Sequence, residues 1–215
     1  MDPCSQAKLD DLRAIHGGLI LAAMPIPWLV PVPLFWPVFL LIPLLIYFFA
    51  VLVIPQLRRS ICWQVVGRAD RATILATLAI VAVSSIALVG YDQLFRPDLE
   101  NLRARTPGWF LENPIVGGTV FALSNALLEE MIFRGILLDA LVSQIGMKGA
   151  IAAQALAFGL LHKEGYPPGT MGICLATIYG VMLGWLRERS QGLLMPLATH
   201  IIADTVIFSF VIIGR

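Results

Sequence analysis

Leu127-Leu128-Glu129-Glu130-Met131-Ile132-Phe133-Arg134-Gly135 places two adjacent carboxylates and an arginine inside a long apolar run. A charged side chain near the centre of a bilayer costs at least ~2.5–3.5 kcal/mol on insertion scales. Three charges this close together need a physical reason. One reason is an ion-pair knot that fixes helix packing. The other is chemistry carried out within the membrane. The rest of the chain has to decide between them.

Composition narrows the field. The 215-residue chain is 58% hydrophobic and 13% charged, with a mean hydropathy of +0.83. Soluble domains average ~45–50% apolar and ~25% charged, so these values point to a polytopic membrane protein. A net charge of +1 supplies no basic field for nucleic acid. Cys4, Cys62 and Cys174 lack CxxC spacing and indicate neither a zinc site nor a disulfide framework. Met1 to His16 is polar with mixed charge. It lacks the basic start, short apolar core and cleavage site of a signal peptide and is expected to be retained. His16 reads as a solvated residue at the end of this segment.

The apolar stretches predict an all-α, polytopic transmembrane helix bundle of about seven spans, with six to eight compatible. Pro25, Pro27, Pro31 and Pro33 interrupt the first, and Pro37 and Pro43 enter the next. Proline removes a backbone donor, so this region reads as a broken or kinked hairpin. Gln56 to Arg71, with four arginines against Asp70, reads as a cytoplasmic loop, and Ala72 to Val89 as a clean span. Tyr91 to Glu112 reads as a mixed-charge loop, with Trp109 and Phe110 at the interface. Asn113 to about Gln144 exceeds the ~20 residues that span a bilayer. It must tilt, break near Gly117-Gly118 or extend beyond the membrane. Gly146 and Lys148-Gly149 end it. Ala150 to His162, Met171 to Leu186 and Pro196 to Ile213 supply the last apolar segments. With the N-terminus inside, inner loops hold nine Lys and Arg and outer loops five, which favours a cytoplasmic N-terminus. Three parts follow: residues 1–16, a polar segment; 17–112, N-terminal transmembrane helices and loops; and 113–215, a transmembrane core that carries the charged motifs.

Within the core, Glu130 and Arg134 are four apart and share a helical face, so they can pair. Glu129 is rotated about 100° away, in line with Asn125 and Phe133. One carboxylate is then neutralised while the other is expected to face a cavity. Phe158-Gly159-Leu160-Leu161-His162 ends one apolar helix, and His200-Ile201-Ile202-Ala203-Asp204 lies in another. Ionisable groups within a membrane usually line a cavity or pair with one another. The economical inference is that Glu129, His162, His200 and Asp204 converge from three helices. Asn125 is a weaker candidate, because interhelical hydrogen bonding is the default for a membrane asparagine. Gly165-Tyr166-Pro167-Pro168-Gly169 reads as a turn or as a gate over the site.

Glu-Glu-x-x-x-Arg, then Phe-x-x-x-His, then His-x-x-x-Asp, in this order across apolar helices, resembles the CPBP family. These are the CAAX-protease and bacteriocin-processing glutamic intramembrane proteases, once labelled abortive-infection proteins. The resemblance covers roughly Asn113 to Ile213. Its third motif ends in Asp204, where the prenyl-protease branch typically has asparagine, and this weakens assignment to prenylated substrates. The resemblance implies that Glu129 with His162 activates a water to attack a peptide carbonyl. His200 and Asp204 would position or stabilise the oxyanion, with Asp204 orienting His200. Glu130, Arg134, Phe158 and Asn125 would give support. No cofactor is expected; a metal held by the Glu and His residues is a minor alternative. The implied substrate is a membrane-anchored or lipidated protein or peptide, cleaved near its anchored or C-terminal segment. The expected setting is the multi-pass cell (inner) membrane of a prokaryote.

Other classes explain the residues less well. A zinc protease would want His-Glu-x-x-His, and His162-Lys163-Glu164-Gly165-Tyr166 lacks the second histidine. Ser124, Ser143 and Ser209 lack the setting of a serine nucleophile. A proton-coupled transporter could use the same carboxylates and histidines, but paired half-repeats are not visible. A non-catalytic membrane scaffold or immunity protein remains the other alternative.

Overall fold

The computed structural model describes residues 3–29 and 36–213. Pro31, Pro33 and Arg215 lie outside them, as do the side chains of Cys4, Lys8 and Arg105. The helices are α1 (Pro3–Ala23), α2 (Ile26–Leu29), α3 (Val38–Val53), α4 (Pro55–Arg59), α5 (Arg71–Phe95), α6 (Glu100–Arg105), α7 (Gly108–Glu112) and α8 (Pro114–Glu130). A π-helical segment, Met131–Leu137, leads into α9 (Leu138–Leu161). A 3₁₀ turn, His162–Glu164, then precedes α10 (Gly169–Ser190) and α11 (Leu194–Ile213). No strand occurs among the described residues.

Five stretches are long and apolar enough to cross a membrane: Leu9–Leu29, Arg71–Phe95, Pro114–Glu164, Gly169–Ser190 and Leu194–Ile212. The third is 51 residues long and turns back at Gly146, whose φ of 72° and ψ of 167° are not helical. Splitting it there and adding the shorter apolar α3 gives seven passes. Exposed apolar side chains such as Ile86, Ile115 and Leu160 cover the outside of these helices, as a lipid-facing surface requires. Proline at the start of α4 and α8 costs no helix bond, because the first N–H groups have no intrahelical partner. Asp70 caps α5 by accepting from the Thr73 N–H at 2.8 Å and from its hydroxyl at 2.9 Å.

Residues 3–16 lie within α1. They form one helix with the apolar run that follows, and His16 is buried, not solvated. Its Nε2 lies 2.9 Å from Ser60 Oγ and its Nδ1 2.9 Å from Tyr47 Oη. Ser60 Oγ–H donates to the Leu57 carbonyl and Trp63 Nε1–H donates to Tyr47 Oη. These neighbours fix the proton positions. Ser60 must accept from His16 Nε2–H, and Tyr47 must donate to His16 Nδ1. One neutral imidazole therefore ties α1, α3 and the chain after α4 together.

Two further expectations change. Gly117 and Gly118 do not break the motif helix. They leave room for Phe110 and Phe208, which a Cβ at either position would meet at 2.5–2.7 Å. Phe110 is accordingly a core residue, and only Trp109 of the pair is exposed. The basic loop after α4 is tied to the turn between α10 and α11. Its Val65 and Val66 carbonyls accept from the Leu193 and Leu194 N–H groups, and Arg68 N–H donates to the Ser190 carbonyl. The loop and the α10–α11 turn therefore lie at the same end of the bundle. At the other end, Arg103 donates to the Val211 carbonyl and covers the C-terminus of α11.

Candidate active site

The cluster is assembled by two hairpins of helices. Glu129 lies 17 residues before Gly146 and His162 lies 16 after it. At 1.5 Å per residue each arm is roughly 25 Å long, so the turn brings the two to one level. His200 lies 8 residues after Gly192, only about 12 Å along its helix. On straight, perpendicular spans of bilayer length, His162 and His200 would sit at different depths. The arms of the first hairpin are about twice as long as the stretch from Gly192 to His200, which removes the conflict.

α9 and α10 pack closely because glycines face the contact. A Cβ on Gly159 would stand 2.7 Å from the Ile173 carbonyl, and one on Gly184 would stand 2.7 Å from Gln154 Nε2. Gln154 Nε2–H donates to the Gly180 carbonyl at 2.9 Å. Small residues at such contacts let helix backbones approach in lipid.

The structure brings all four predicted catalytic residues together. Glu129 Oε2 is 3.8 Å from His162 Nε2 and 3.4 Å from His200 Nε2. Asp204 Oδ1 is 3.8 Å from His200 Nε2. His162 Nδ1–H donates to the Phe158 carbonyl at 2.7 Å, which fixes the ring and turns Nε2 toward Glu129. The Phe158 ring lies against His162 at 4.2 Å between centroids and carries the Arg134 guanidinium 4.3 Å from its own.

Glu130 does more than pair with Arg134. The ion pair is present at 2.9 Å, with both side chains buried. The same oxygen, Glu130 Oε1, also accepts from His200 Nδ1–H at 2.7 Å. The role expected of Asp204, holding the imidazole of His200, is met at Nδ1 by Glu130. Asn125 acts on Asp204 instead. Trp36 Nε1–H can only donate, and it does so to Asn125 Oδ1 at 2.8 Å. The amide is thereby oriented so that its Nδ2 donates to Asp204 Oδ2 at 3.2 Å.

A cavity of about 290 Å³ lies beside the cluster, between α5, α10 and α11. Its walls are apolar apart from His162, His200, Asp204, Tyr166, Tyr179 and Ser84. Glu129 is not in the wall, contrary to the expectation that it faces a cavity. Its Oε2 is buried, 3.8 Å from His162 Nε2 and 3.4 Å from His200 Nε2. Tyr166 and Pro167 close one side, and Tyr166 Oη donates to Asp92 Oδ1 at 3.1 Å. Burial pushes the Tyr166 phenol above its ordinary range. Tyr179 is a wall residue that sequence reasoning missed, since a tyrosine in an apolar span has no local signature.

The bundle defines a multi-pass membrane protein in which two imidazoles and three carboxylates meet beside an apolar cavity. Residues 111–206 match the family model described as Rce1-like, type II CAAX prenyl endopeptidase Rce1-like. This stretch, which holds Asn125, Glu129, Glu130, Arg134, His162, His200 and Asp204, is similar to that family over somewhat less than half of the chain. No curated protein matches, and no solved structure matches.

Proposed function

We propose that Glu129 and His162 activate a water for peptide-bond hydrolysis, and that His200 stabilises the tetrahedral intermediate. The observation that carries this reading is the meeting of Glu129 Oε2 with both histidine Nε2 atoms beside an apolar cavity. The water oxygen bonds the scissile carbonyl carbon while its proton passes to the Glu129–His162 pair. The C–N bond then breaks, the proton goes to the leaving amine, and a carboxylic acid remains. Separations of 3.4–3.8 Å exceed a hydrogen bond, but such contacts often tighten only with substrate bound. Glu130 holds His200 by Nδ1, as a carboxylate holds a catalytic imidazole, and His200 acts as an imidazolium among Glu129, Glu130 and Asp204, so that Nε2–H donates to the developing oxyanion. Arg134 and Phe158 support Glu130 and His162, and Asn125 supports Asp204.

The substrate is a membrane-anchored or lipidated protein, cleaved near its anchored or C-terminal segment. The apolar cavity suits a segment that arrives from the bilayer. The protein works in the cell membrane with its N-terminus on the cytoplasmic side. The chemistry needs no metal, so activity is expected to survive a chelator. The test is proteomics of cells that carry wild-type or Glu129→Gln protein. An uncleaved membrane-anchored precursor accumulates in the variant, while the amount of inserted protein stays the same. Absence of any such precursor at equal expression would refute the protease reading and favour a scaffold.

A further inference from the structure

We infer that Tyr179 is a further catalytic residue, whose hydroxyl donates a hydrogen bond to the oxyanion that forms beside His200; this rests on the hydrolytic reading above. The hydroxyl oxygen of Tyr179 is buried and has no hydrogen-bond partner among the described residues. A buried hydroxyl without a partner costs about 1–3 kcal/mol. Such a donor, kept ready in a cavity wall, is accounted for if its acceptor exists only during the reaction.

Three placements put the Tyr179 phenol at the site. The Tyr179 ring stands edge-on to the His200 imidazole, 5.8 Å between centroids at 86°. Tyr179 shares the cavity wall with His162, His200 and Asp204. The charged groups that face its phenol are Glu130, Asp204, Arg134 and Glu129, all of the cluster. The backbone beneath it is held firmly, because the carbonyl of the next residue, Gly180, accepts from Gln154 and that glycine packs against Ala155. Preorganised donors of this kind need no rearrangement when charge develops.

The cluster is otherwise short of donors for that charge. Asp204 cannot serve. Its Oδ2 accepts from Asn125, whose orientation Trp36 fixes, and its Oδ1 faces His200. His200 Nδ1–H is committed to Glu130. His162 Nδ1–H is committed to the Phe158 carbonyl, and His162 Nε2 faces Glu129. Ser84 and Tyr166 in the cavity wall donate to the Val81 carbonyl and to Asp92, and Arg134 lies outside the wall, so among the described wall side chains Tyr179 Oη–H and, with the imidazole protonated on both nitrogens, His200 Nε2–H remain. Together they form a two-donor cradle on the cavity side of Glu129.

The test uses full-length protein in liposomes and, as substrate, the purified precursor that accumulates in Glu129→Gln cells. Removing one oxyanion donor typically lowers kcat about 10²–10³-fold. Tyr179→Phe is expected to lower kcat by about that factor with KM within about twofold. Its thermal midpoint should be unchanged or raised, because the lost hydroxyl had no partner to lose. A kcat equal to wild type, or a fall in kcat accompanied by a lower thermal midpoint, overturns the assignment. Failure of the hydrolytic reading is distinct, since Glu129→Gln would then cleave as well as wild type or no precursor would accumulate.

Discussion

Glu130 decides how the motif is built. One oxygen of this carboxylate meets both Arg134 and His200, so it neutralises a buried guanidinium and steers an imidazole 70 residues away. Removing one partner of a buried ion pair typically costs ~3–5 kcal/mol, because the other charge is left uncompensated. Glu130→Gln is therefore expected to lower the thermal midpoint and the yield of folded protein sharply. Glu129→Gln should leave both near wild type, as its Oε2 accepts no hydrogen bond among the described residues. Thermal unfolding of the two variants in detergent separates the roles. His16→Leu is expected to cost about 1–3 kcal/mol through the stranded Tyr47 and Ser60 hydroxyls, read in the same assay. The pairing of Glu130 with Arg134 was legible because helical spacing is a local rule. The bond from Glu130 to His200, the burial of His16 and the place of Tyr179 were not. Each depends on which helix packs opposite, and no spacing along one helix encodes that.

At the scale of elements, the α9–α10 contact and the π segment do the positioning. Gly159→Ala would drive a Cβ into the Ile173 backbone, which cannot rotate away. The helices must separate, moving His162 away from the cluster, and both stability and activity are expected to fall. Gly149→Ala is the control. Its Cβ meets only the Ile145 side chain at 3.3 Å, and alanine is favoured over glycine in a helix by about 0.8–1.0 kcal/mol, so a small gain in thermal midpoint is expected. The π turn at Met131–Leu137 could not be read from the apolar pattern, which fits a continuous α-helix as well. It admits the Trp63 ring against Gly135, where a Cβ would stand 2.7 Å away. Such turns occur frequently at functional sites. At the membrane surface, the bonds from Thr73 hold the Asp70 carboxyl below its usual range. A depressed pKa gives stability that is present above the unfolded value and lost as pH falls through the folded one. Hydrogen exchange at the Thr73 amide should therefore quicken on acidification below the ordinary aspartate range, and Asp70→Asn should blunt that change.

For the whole molecule, the bundle and most of its passes were legible because long apolar runs with few charges have little choice in lipid. Their connections were less so. The polar start of α1 disguised a helix that crosses, and the basic loop after α4 gave no sign that it would lace onto the α10–α11 turn. That lacing puts residues 61–70 and 190–194 at one end, opposite the contact of Tyr166 with Asp92. With the N-terminus cytoplasmic, a membrane-impermeant maleimide should label a single cysteine at Asp98 in intact cells. It should reach one at Gln191 only after the membrane is opened. Equal labelling of both in intact cells would overturn this sidedness.

The equal arms about Gly146 have a consequence for what the chain can tolerate. Glu129 and His162 are held in phase by counting residues from a turn about 25 Å away. An insertion within either arm would rotate one partner by about 100° relative to the other and silence the pair without touching it. Residues added at the turn itself change neither count, and exposed tips accept insertions readily. The tip of this hairpin is thus a free port. A tag or a binding module could be placed there, while a single extra residue a few positions along the helix should abolish cleavage.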